Sequence, residues 1–160
     1  MFGTVAPVAV PVDMDGQAYL VTMEQPPGPL ACTWAAADDW RPLFPGHLPD
    51  DQRAWWQERL EDPDDVLDYM ALRPVAFAVA EQVYGMPWWA AHRILLEVAE
   101  EHLAWTVWCV RRGFDPERED ARRILASAVA YRVERMDGPA EVKGWSTRMF
   151  MPPPGVKARG

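Results

Sequence analysis

Serine, cysteine and histidine are scarce in this 160-residue chain, and each shortage removes a chemistry. The serines are Ser127 and Ser146, neither within Gly-x-Ser-x-Gly, so a serine nucleophile has no strained elbow to sit on. The two cysteines, Cys32 and Cys109, lack CxxC spacing, which excludes a cysteine zinc site and argues against a disulfide framework; both are expected to be reduced, semi-buried hydrophobes. The histidines are His47, His92 and His102. The last two, if on one helix, lie about 15 Å apart along its axis, too far to share a metal ion. They are expected at the core or its boundary, and His47, between Pro45 and Pro49, at the surface. No Glu-x-x-His pair recurs, no glycine-rich phosphate loop is present, and LEDPDDVLD at 60–68 lacks the order of a calcium loop. No catalytic residue, cofactor or metal is therefore expected, and the chain reads as a non-enzyme.

Basic charge is also short. The net charge of -8 and pI near 4.8 give no electrostatic support to nucleic-acid or anionic-membrane binding. No apolar run approaches the roughly 20 residues of a membrane span. The opening MFGTVAPVAVPVDMDG, broken by Pro7 and Pro11, has no positive segment followed by an apolar one, so a cytoplasmic protein is expected. What is abundant is apolar and aromatic material: 49% hydrophobic and 11% aromatic residues, enough for one globular domain with its own core.

The 16 prolines concentrate before residue 50 and after residue 151, which leaves a middle free to be helical. The expected class is mainly α with a small β part. Residues 1–49 read as a β-hairpin turning at Asp15-Gly16, followed by a proline-rich arm anchored by Trp34, Trp40, Leu43 and Phe44. Residues 50–151 read as a domain of four to five helices, bundle-like or orthogonal, and 152–160 as a flexible tail. Asp50 or Asp51 is expected to cap the first helix, and Asp62, Asp64 or Asp65 the next, near Val66. Arg73-Pro74 suggests a restart and Gly85 a stop. One long central helix is expected from Pro87 to Arg112, closed by Gly113, and another from Asp115-Pro116 to Met136, with Glu119 and Arg123 as an i,i+4 pair.

On the central helix, Arg93, Glu97, Glu100, Glu101, Arg111 and Arg112 share one third of the circumference. Leu95, Leu96, Val98, Leu103 and Val110 fill the other side, with Ile94, Trp105 and Trp108 widening it past a half-turn. That is more apolar surface than one neighbour uses, so the helix is central or touches a partner. The doubled tryptophans Trp55-Trp56 and Trp88-Trp89 point about 100° apart on a helix, so one ring of each pair is expected near the surface. Trp55, Trp56, Trp88, Trp89, Trp105 and Trp108 are the candidate partner-binding residues, tryptophan being a common interface anchor; capping of the chain's own core is the competing role.

At PWWAAHRIL (87–95), WCVRRGFDP (108–116) and MFMPPPG (149–155), the text resembles a family of small helical proteins encoded in the tail-gene region of phages and prophages of high-GC actinobacteria. The resemblance covers about 64–155, and its motifs are structural punctuation. It implies a tail assembly chaperone, a viral morphogenesis protein acting in the host cytoplasm, whose partner is the helical tape-measure protein. It carries no catalytic residue. A structural head, connector or tail component of the virion is the alternative, and the sequence is compatible with an oligomer.

Overall fold

The computed structural model describes residues 8–14, 17–23, 48–65 and 72–156. Among these the chain is mainly helical, with helices α1 (Asp50–Glu61), α2 (Leu72–Tyr84), α3 (Trp88–Glu100), α4 (His102–Arg111), α5 (Ala121–Glu134) and α6 (Pro139–Phe150). Strands β1 (Val8–Met14) and β2 (Gln17–Met23) pair antiparallel, Val10 opposite Val21. The expectations placed on Cys32, His47, the proline-rich arm, the helix start at Val66 and the basic end 157–160 lie outside the described residues. None of the described helices is long and apolar enough to cross a membrane.

α3 holds the centre. It packs against α2, α4, α5 and α6, and its buried side chains include Trp89, Ala90, Ala91, Ile94, Leu95 and Val98. Ile94, Leu95 and Val98 meet Ile124, Leu125, Ala128 and Tyr131 of α5 and Trp145 and Met149 of α6 in one cluster, each large aliphatic contributing about 1.5–3 kcal/mol by leaving water. Alanines at 90, 91, 121 and 128 are fully buried and let the helix backbones approach closely.

Helix ends follow local chemistry, with some departures from expectation. α1 starts after Pro49 with no side-chain cap; Asp50 and Asp51 instead lie in its first turn, where they favour the helix dipole. Asp65 accepts from Nε and Nη2 of Arg59, at 2.8 and 2.9 Å. Gly85 and Gly113 take φ of 71° and 70°, the left-handed conformation that ends α2 and α4. The helix expected from Pro116 onward is split: Pro116–Arg118 form one 3-10 turn, and α5 begins at Ala121, where the Asp120 carboxylate accepts from the Arg123 backbone N–H at 2.9 Å. The Glu119–Arg123 ion pair then bridges the cap, at 2.6 Å.

The expected central helix is two. Glu101, with φ -109° and ψ 28°, leaves helical geometry between α3 and α4. Its side chain faces α5, where it accepts from the Tyr131 hydroxyl at 2.6 Å and Arg132 Nη1 at 3.1 Å, with Arg135 3.4 Å away.

Two arginines close helix C-termini from afar. Arg93 of α3 donates through one nitrogen to the carbonyls of Arg148, Met149 and Met151, at 2.7 to 3.2 Å, covering groups that α6 cannot satisfy itself. Arg122 of α5 does the same at the end of α2, donating to Gln82 and Val83 carbonyls; a Cβ at Gly85 would stand 3.2 Å from its Nε. Within the tail, the Val156 backbone N–H donates to the Pro153 carbonyl at 3.1 Å and closes a turn.

Candidate protein-interaction surface

The six tryptophans separate into two groups. Of the candidate contact residues, Trp56, Trp89 and Trp105 are buried in their own chain, where they offer no accessible ring. Within each doubled pair one ring is buried and the other is not. Trp88, half-buried, stacks on Phe77 of α2 at 3.8 Å, whereas Trp89 turns at right angles to it and donates from Nε1 to the Phe150 carbonyl at the end of α6. In α1, Trp56 enters the core and Trp55 is 38% exposed, edge-on to Trp56 and under the Arg59 guanidinium.

Trp108 is half-buried and saturated with contacts. Arg112 lies 4.1 Å over its ring, Tyr131 meets it edge-on, and its Nε1 donates to Glu134 at 2.8 Å. The Glu134 carboxyl is held below its ordinary pKa by that indole bond first and by Arg112 second. Trp105, fully enclosed, has no hydrogen-bond partner for Nε1 among the described residues.

The polar third of α3 and α4 is only partly a solvent face: Glu100, Arg111 and Arg112 are exposed, whereas Glu97 and Glu101 are half-buried against neighbouring helices. Glu97 accepts from Trp145 Nε1 at 2.9 Å, and Arg132 Nε lies 3.0 Å from the same carboxylate, an ion-pair contact without hydrogen-bond alignment. Glu101 joins α5, and Arg112 joins Glu134 at 2.6 Å. Tyr131 lowers the Glu101 pKa most, ahead of the charges of Arg135 and Arg132, while burial and the adjacent carboxylate push the Tyr131 hydroxyl up. These charges tie the residues that flank α4 to α5, and the side of α4 that carries Trp105 and Cys109 turns inward.

What turns outward is apolar. Leu103, Val107 and Val110 are 78%, 43% and 64% exposed, in an i, i+4, i+7 row along the face of α4 opposite Trp105. Single exposed aliphatics are ordinary, but three on one helical stripe are the pattern by which helices dock on one another. Ala99 and Ala104, exposed and small, leave space beside the row, and Glu100 and Arg111 mark its ends. On the sequence Leu103 and Val110 share one apolar arc with Leu95 and Val98; only the latter two are buried. The legible signal was the excess width of the apolar arc; its resolution into an outer row depends on the break at Glu101.

Other polar groups are already engaged. An open cleft of about 340 Å³ between α4 and α5 is lined by Trp108, Arg112, Phe114, Arg123, Ala126 and Ser127. Its two arginines pair with Glu134 and Glu119. Ser127 donates to the Ile124 carbonyl at 2.7 Å, and burial raises the pKa of the Cys109 thiol, which keeps it protonated and a poor nucleophile. His92 is half-buried and His102 exposed, the second 6.0 Å from the Trp105 ring centre, so only the first stands at the core boundary. Among the described residues no group of three or more His, Cys, Asp or Glu is arranged to hold a metal. No family model, curated protein or solved structure matches the chain.

Proposed function

We propose that this is a non-enzymatic assembly protein whose α4 row docks an amphipathic helix of a partner protein. The observation that carries the reading is the outward row Leu103, Val107 and Val110 on a helix whose opposite side is buried through Trp105 and Cys109. Covering such a row with the apolar face of another helix removes both surfaces from water without disturbing the ion pairs beneath. Trp55 and the half-buried Trp88 and Trp108 are secondary contact candidates at separate places on the domain.

The resemblance of the 87–95, 108–116 and 149–155 motifs to tail-region proteins supports a tail assembly chaperone that shields a tape-measure helix in the host cytoplasm. The paired strands would then be an extension beside a helical binding domain. The acidic charge of -8 would keep such a factor from self-aggregating.

The test is co-expression with the tape-measure protein, followed by capture and inspection of purified particles. Wild type is expected to co-purify with its partner and to be absent from particles, and Val107→Asp to lose the partner while melting as wild type does. Capture undiminished by Val107→Asp would refute the docking row, and retention in particles would establish the structural virion component instead.

A further inference from the structure

We draw no further inference here: the strongest candidate, the open cleft between α4 and α5, carries nothing because its arginines are already paired with Glu134 and Glu119 and its serine hydroxyl with the Ile124 carbonyl, so no polar group in it selects a ligand.

Discussion

Replacing Trp89 by alanine discriminates most sharply between an aromatic that holds this chain together and one that waits for a partner. The ring is 5% exposed, stands edge-on to Trp88, and ties the start of α3 to the end of α6 through its bond to the Phe150 carbonyl. Removing a buried indole costs about 3–5 kcal/mol, the lost transfer energy plus the cavity left behind, and roughly 1 kcal/mol of that is the hydrogen bond. In a domain of this size each kcal/mol moves the melting temperature by about 2–4 °C, so Trp89→Ala should melt about 6–20 °C lower. Trp89→Phe, which keeps most of the volume and loses the bond, should cost about 1–2 kcal/mol. Trp55→Ala, with its ring already in water on one side, should cost less than about 1 kcal/mol. Thermal melts followed by far-ultraviolet circular dichroism, checked by urea titration at the same pH, give all three values. A Trp89→Ala melt within about 2 °C of wild type would refute the placement of this ring in the core.

Three further outcomes are expected. Arg93→Met removes three carbonyl contacts at the end of α6 and should destabilise by about 1–2 kcal/mol, with amide exchange accelerating first near residues 148–151 in hydrogen-exchange mass spectrometry. Asp120→Ala strips the α5 cap and should cost about 1 kcal/mol in urea unfolding, with Asp120→Ser recovering most of it. Glu101 titrates below its ordinary 4.5 in the folded chain, so its contribution is present above that value and is lost as pH falls through the lower folded pKa. The stability gap between wild type and Glu101→Gln should therefore be widest near neutrality and close in acid, while the raised Tyr131 hydroxyl adds a loss only as pH rises past its ordinary 10.0. Urea midpoints measured from acid to alkaline pH check both limbs.

The helical class and most helix ends were legible because they depend on local signals. Gly85 and Gly113 stop helices where a left-handed residue is needed, and Ile124, Leu125, Ala128 and Tyr131 form the inner stripe of α5 at the spacing that pattern gives. Whatever depends on a distant group was not legible. The break at Glu101 has no proline or glycine to announce it; its carboxylate is engaged by residues about 30 positions later in the chain. Arg93 reads as a solvent charge, and only α6 makes it a cap. The candidate surface shows the same limit from the other side. Indole content pointed to the tryptophan pairs, but Trp89 is buried where the start of α3 meets the end of α6, whereas α4, after the break, leaves modest aliphatics such as Val107 outside.

The reach of Arg93 also bears on how fast the chain assembles. The Phe77–Trp88 contact closes a loop of eleven residues, while Arg93 and Arg148 are 55 apart. With closure entropy growing as (3/2)RT ln n, joining the latter costs about 1.4 kcal/mol more, near a factor of ten in rate if nothing else intervenes. The hairpin of α2 and α3 is thus the natural nucleus, and α6 docks onto a surface already built, making its capture the late event that a stopped-flow trace of the Trp145 neighbourhood would report.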